Sequence, residues 1–301
     1  AAWSPDGSRI AFTRCSAGSC HISVMSADGS GETRLTSGDR PGEWDPSWSP
    51  DGTRIVFASR RSGKWGLYQT QSDGSGTDGD ILVESELPIA PMSWTPHGNR
   101  LVYWVHHPKT LGDLWILPFD GDKKAVPFLV SSKNETHAQV SPDGKWIAYT
   151  SELTGRKEVF VQPFPTGTGR WQISPDTGIG GDWPRWRRDS QELYYHSLGN
   201  AGAYGPYTNG AAFLGPVYGV SIKVLGSSIE AGTPQEIIRV LAQRYQHPGA
   251  DYHTYDVSAD GQRFLVYQRV ITSGAASTQI LPEVPVPGLT VAMNWAKGLR
   301  K

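Results

Sequence analysis

Short runs of β-branched and aromatic residues, bounded by glycine, proline, serine and aspartate, recur along the chain, and no stretch shows convincing, capped helical periodicity. The clearest runs are Arg9-Ile-Ala-Phe-Thr13, Arg54-Ile-Val-Phe-Ala58, Arg100-Leu-Val-Tyr-Trp104, Lys145-Trp-Ile-Ala-Tyr149, Glu192-Leu-Tyr-Tyr195 and Arg263-Phe-Leu-Val-Tyr267. That composition suits strands buried between packed sheets. A second set of runs follows at His21–Met25, Gly66–Gln69, Asp113–Leu117, Glu158–Gln162, Val217–Ser221 and Leu289–Met293. Shorter fourth runs stand at Thr33–Thr36 and Ile81–Val83. Pro234–Arg244 reads either as a short helix or as a fourth strand with a loop.

Each run of the first set lies behind a tight turn headed by a large apolar residue: Trp3-Ser-Pro-Asp-Gly7, Trp48-Ser-Pro-Asp-Gly52, Trp94-Thr-Pro-His-Gly98, Val140-Ser-Pro-Asp-Gly144, Trp186-Arg-Arg-Asp-Ser190 and Val257-Ser-Ala-Asp-Gly261. Proline presets φ, aspartate bonds the local backbone, and glycine leaves the turn without steric conflict. The heads are spaced 45, 46, 46, 46 and 71 residues apart. A fixed period of this size marks a repeat architecture. The expected fold is all-β: a single six-bladed β-propeller of four-stranded antiparallel blades, at approximately 1–36, 37–83, 84–131, 132–174, 175–240 and 241–301. The last blade lacks a fourth run. Either the opposite terminus completes it or it keeps an open edge able to accept a strand.

The 301 residues include 12 Trp, ample for a core, and 28 basic against 29 acidic side chains leave a net charge of −1. No basic stripe is present, which sets nucleic acid aside as a partner. No apolar run approaches the roughly 20 residues needed to cross a bilayer, so no membrane insertion by this chain is expected, and any anchor lies outside it. Cys15 and Cys20 are close enough in sequence to permit a disulfide across a hairpin, which would imply an oxidising compartment; two free thiols are the alternative. Asn134-Glu-Thr136 matches a glycosylation sequon, a weak pattern.

The repeated Trp-Ser-Pro-Asp-Gly turn and its following Arg/Lys-headed strand, together with Asp28-Gly-Ser-Gly31 and Asp73-Gly-Ser-Gly76, resemble the TolB-type β-propeller repeat over nearly the whole chain. The succession Ser141–Tyr149, Glu158–Phe164, Trp171–Ser174, Pro184–Asp189, Glu230–Pro234, Tyr255–Ser258 and Asn294-Trp295 is similar to the propeller that follows a transmembrane segment in many bacterial eukaryotic-type serine/threonine protein kinases. That resemblance implies a periplasmic or extracellular sensing or interaction module, tethered, if at all, by an upstream segment. The chain departs from the pattern at Leu198–Pro216, a Gly/Ala/Tyr-rich insertion.

In a TolB-like arrangement the Ser-Pro-Asp-Gly and Asp-Gly-Ser-Gly turns share one face. The long segments Leu198–Pro216, Ala242–Asp251 and Gln268–Gly288 then fall on the other, where binding residues gather. The same face should carry Arg60, Arg61, Trp65, His106 and His107, with Trp44, Asp45, His137, Asp182, Trp183, Tyr252 and His253 at the mouth of the central channel. Trp44, Trp65, Trp183, Tyr204, Tyr207 and Tyr252 could offer stacking faces for a sugar or extended peptide, or could pack between loops. Asp45, His137, Asp182 and His253 are weak candidates for a divalent metal, since no close-spaced ligand signature supports one. The repeated Asp6, Asp51, Asp143, Asp189 and Asp260 read as turn stabilisers.

No nucleophile elbow, phosphate cradle or kinase motif is present. The expected function is non-catalytic, without cofactor: a propeller that binds a protein, peptide or glycan at its loop-rich face. A metal-dependent polysaccharide lyase or hydrolase is the alternative, and self-assembly into a homo-oligomer a third.

Overall fold

The computed structural model describes residues 1–16, 19–37, 42–76, 79–175, 180–197, 212–243, 255–267 and 289–293, and in it each repeat forms its own antiparallel sheet. The first contains β1 (Ala2–Trp3), β2 (Arg9–Ser16), β3 (Ser19–Ser26) and β4 (Thr33–Arg34). The second contains β5 (Glu43–Trp48), β6 (Arg54–Ser59), β7 (Trp65–Gln71) and β8 (Asp80–Ser85). The third contains β9 (Ile89–Trp94), β10 (Arg100–His107), β11 (Leu111–Pro118) and β12 (Val126–Leu129). The fourth contains β13 (Glu135–Val140), β14 (Trp146–Ser151), β15 (Glu158–Pro163) and β16 (Trp171–Gln172). The fifth contains β17 (Asp182–Trp186), β18 (Glu192–His196), β19 (Ala212–Leu225), β20 (Ser228–Ala231) and β21 (Gln235–Gln243). In the sixth, β22 (Tyr255–Val257), β23 (Arg263–Tyr267) and β24 (Leu289–Met293) are the described strands.

The second strand of each blade meets a neighbouring sheet on both faces, which is why it reads as a continuous apolar run. Ile55, Val56 and Phe57 are each 0% exposed. Six core clusters fill the six junctions between adjacent sheets among the described residues. The cluster of Trp3, Ile10, Phe12 and Leu265 joins the sixth sheet to the first. Among the described residues β1 pairs only with β2, and the contacts described across this junction are made by side chains.

The turns have the expected chemistry. Ser49 Oγ donates to Asp51 Oδ1 at 2.5 Å, Thr53 N donates to the same oxygen at 3.0 Å, and Gly52 sits at φ 70°. Asp6 is held at a pKa of about 2, first by the Ser4 hydroxyl and then by Ser8. The aspartates that stand in these turns are turn stabilisers.

At three of the six junctions a recurrent latch joins successive blades. The arginine after one turn stacks on the tryptophan heading the next: Arg9 on Trp48 at 4.7 Å, Arg54 on Trp94 at 6.0 Å and Arg263 on Trp3 at 4.6 Å. The residue before each head contributes as well. Ser93 Oγ accepts from Val140 N at 3.0 Å, and Asp256 Oδ2 accepts from Trp3 N at 2.9 Å. Both devices recur between the sixth blade and the first.

Blade five takes the strand reading of its last segment and adds an outer strand to the expected four. Residues 235–243 form a strand and not a helix, and two outer strands share the long β19: β20 pairs with Ile222–Leu225 and β21 with Ala212–Gly219. The part of β19 before Val217 runs past the end of β18, so a two-stranded ribbon projects at the face opposite the turns.

Candidate functional site

The face opposite the Ser-Pro-Asp-Gly turns is built from the β2–β3, β6–β7, β10–β11 and β14–β15 hairpins and the entries to the innermost strands. Three of those entries carry a bulge whose residue is left-handed although not glycine: Asp45 at φ 55°, His137 at φ 52° and Trp183 at φ 53°. Such a conformation persists only where surrounding contacts enforce it. A bulge also redirects the side chains on either side of it.

At blades four and five those redirected side chains meet. His137 Nδ1 donates to Asp182 Oδ1 at 2.6 Å, Thr150 Oγ1 donates at 2.8 Å and Trp183 N at 2.9 Å, while Lys157 Nζ reaches Oδ2 at 2.9 Å. Asp182 is 0% and His137 1% exposed. Burial alone would raise the Asp182 carboxyl, but Lys157 and then His137 outweigh it and hold it well below the ordinary range. Trp183 packs between His137 and His196, with ring centroids at 5.2 and 5.7 Å. His196 is 0% exposed, and burial pushes its imidazole down to about 4.

A related arrangement stands in blade two. Glu43 pairs with Arg61 at 2.6 Å, and the guanidinium lies over Tyr68 at 4.4 Å. The same two positions in blade four hold Glu135 and Leu153. Glu135 is bound by the hydroxyls of Ser131 and Ser151 instead, and burial pushes its carboxyl up.

These placements correct part of the sequence reading. Trp44, Trp65 and Trp183 are 4, 6 and 2% exposed, so they are junction core and not open stacking faces. Arg61 is buried in its ion pair, whereas Arg60 is exposed over Trp65 at 5.4 Å. Asp45 is half-buried, as are His106 and His107, which extend the third-blade hairpin. Of the metal candidates, His137 and Asp182 are brought together by a hydrogen bond. Among the described residues no three His, Cys, Asp or Glu side chains form a metal-ligand group. Tyr204, Tyr207, Tyr252 and His253 lie outside the described residues. Both side-chain amide atoms of Asn134, the sequon asparagine, are engaged, with Gly112 N and with Glu152.

The sequence reading missed Lys157, Thr150 and His196. Lys157 sits where a polar strand entry is ordinary, and only the three-dimensional neighbourhood gives it a buried partner. Cys15 and Cys20 face each other in the β2–β3 ladder and are joined by a disulfide.

A family model described as the TolB beta propeller domain matches residues 1–161. No curated protein sequence matches the chain. Among solved structures, a putative TolB from Agrobacterium tumefaciens is 19% identical with a TM-score of 0.66, covering 86% of this chain and 85% of that one. TolB from Acinetobacter baumannii is 16% identical with a TM-score of 0.63, covering 88% of this chain and 59% of that one. An oligogalacturonate lyase from Vibrio parahaemolyticus is 12% identical with a TM-score of 0.56, covering 98% and 74%. At these identities the structural likeness concerns the fold.

Proposed function

Because the chain belongs to the TolB β-propeller family, we propose that it is a non-catalytic binding propeller that engages a protein, peptide or glycan with its loop-rich face on the extracytoplasmic side. The observation that carries this reading is the asymmetry of the two faces. On one, the turns are short, and aspartates in five of the six blades are used on their own turn hydroxyls, arginine or backbone. On the other, the first- and third-blade hairpins and the fifth-blade ribbon project beyond the hairpins of blades two and four. Rigid scaffolds concentrate recognition in such segments. The disulfide supports an oxidising compartment. The polysaccharide-lyase alternative draws no support from His137, which is buried and committed to Asp182.

The test uses peptide and glycan arrays probed with the full chain carrying polyethylene glycol on single introduced cysteines. Conjugates at Ser62→Cys or Thr154→Cys, on the loop-rich face, are expected to abolish array binding, and one at Ser75→Cys, on the turn face, to leave it. The reverse pattern would overturn the proposal.

A further inference from the structure

The hairpin between β10 and β11 is longer than those of blades two and four, reaches as far as the disulfide-closed hairpin of blade one, and differs from the sisters of blades two and four in conformation. The second strands of blades two and four end at Ser59 and Ser151, positions equivalent to Val105, whereas β10 continues through His106 and His107, paired with Gly112 and Leu111. The sister hairpins place Gly63 and Gly155 in the left-handed region, at φ 88° and 89°. Here the left-handed residue is Leu111, at φ 68°, and its side chain is 43% exposed. A left-handed leucine that leaves over two-fifths of itself in solvent regains only part of that strain by burial.

Leu111 is not alone. Val130 is 49% and Leu153 39% exposed, and one asparagine ties all three segments together. Gly112 N donates to Asn134 Oδ1 at 2.9 Å, Asn134 Nδ2 donates to Glu152 Oε1 at 3.0 Å, and Glu152 N donates to Asn134 O at 3.1 Å. Val130 follows β12 directly and leads into the Asn134 segment. Leu153 stands where blade two has Arg61, which folds inward onto Glu43; Leu153 instead faces solvent. Single exposed aliphatic residues need no explanation, but a group beside unmatched charge does.

The charge is cationic. Lys109, in the turn of the extended hairpin, and Lys133, next to Asn134, are exposed and form no ion pair among the described residues. Three other cations of this face are matched, Lys64 by Glu84 and Glu86, Arg156 by Glu158, and Lys157 by Asp182, while Arg60 stands over the Trp65 ring on blade two, away from this group. The one carboxylate in the Asn134 knot, Glu152, accepts from the Asn134 amide.

We propose that Leu111, Val130 and Leu153, flanked by Lys109 and Lys133, form a docking surface between blades three and four for an acidic segment of a protein partner that carries an aliphatic or aromatic anchor. The anchor covers the three apolar side chains and the flanking carboxylates meet the two ammonium groups. This rests on the loop-rich face being the binding face, and it names the place and the partner chemistry. The exposed side chains at this rim are aliphatic, which suits a peptide anchor better than a sugar ring.

The experiment is selection of a displayed random 12-residue peptide library against the full chain, with Leu111→Ser/Leu153→Ser and Lys109→Glu/Lys133→Glu variants as comparisons. These are surface positions, and circular dichroism confirms that each variant is folded. Selected sequences are expected to be rich in Asp and Glu around a Leu, Ile or Phe. Their Kd should weaken about tenfold or more in each double variant, and the loss in the charge-reversed variant should shrink at high salt. A selection that yields no acidic motif, or peptides indifferent to both variants, overturns the proposal. Binding of a polyuronate oligomer that is lost in the same variants, without peptide binding, also overturns it in favour of an acidic glycan. Peptides that ignore these variants but are blocked by polyethylene glycol at Ser62→Cys leave the loop-rich-face reading standing while this surface falls.

Discussion

His196 lies against Trp183 without solvent contact, and burial holds its imidazole near 4, below the ordinary 6.5. The sign follows directly. Below pH 6.5 the unfolded chain takes up this proton more readily than the folded one, so stability that is complete above 6.5 declines as pH falls towards 4. Between pH 7.5 and 4.5 the loss amounts to about 2–3 kcal/mol from this group. Asp182 is depressed in the opposite chemical sense: its stabilisation exists above the ordinary carboxylate range and disappears only in strong acid, outside that window. Urea unfolding at the two pH values should show a steeper decline for the native protein than for His196→Gln, and parallel declines would count against the assignment. Little of this was legible in the sequence. Trp183 and His137 were recognised as entry residues of inner strands, but a one-dimensional pattern does not distinguish a tryptophan facing a channel from one wedged between two histidines.

Among the elements, the turns were the most legible because each residue acts locally. Gly52 is left-handed at φ 70°, and an added Cβ would meet Pro5 Cδ at an ordinary 3.8 Å, so Gly52→Ala tests conformation and not crowding. It should lower stability by about 1–2 kcal/mol, measured by the denaturation midpoint. Ser190 shows how the same turn tolerates a side chain: at φ 59° its hydroxyl accepts from Asp143 N of the preceding blade at 3.1 Å. Strands two and three were equally readable, because burial on both faces writes an uninterrupted apolar run. The outer strands were not. Gln235–Gln243 pairs along only part of β19 and shares that strand with β20, so its sequence carries neither full burial nor clean alternation.

For the whole molecule, the period gave the blade number, but nothing in it revealed how the ends meet. The structure answers with the same contact used elsewhere: Arg263 stacks on Trp3 and reaches Gly7 O at 3.2 Å, as Arg9 stacks on Trp48 and reaches Gly52 O at 3.2 Å. Arg263→Ala should therefore destabilise the protein about as much as Arg9→Ala, by about 1–2 kcal/mol. Intrinsic fluorescence and circular dichroism should report one coincident transition in both variants; a neutral Arg263→Ala would mean that the last junction contributes no closure. At the three junctions that carry the stack, the arginine comes from one repeat and the tryptophan from the next, in the same direction around the ring. Duplication or loss of the first or second repeat as a unit thus leaves complementary ends. The joints would accept a larger or smaller ring equally well, and the number six must be enforced elsewhere, by the angle at which buried side chains hold one sheet against its neighbour.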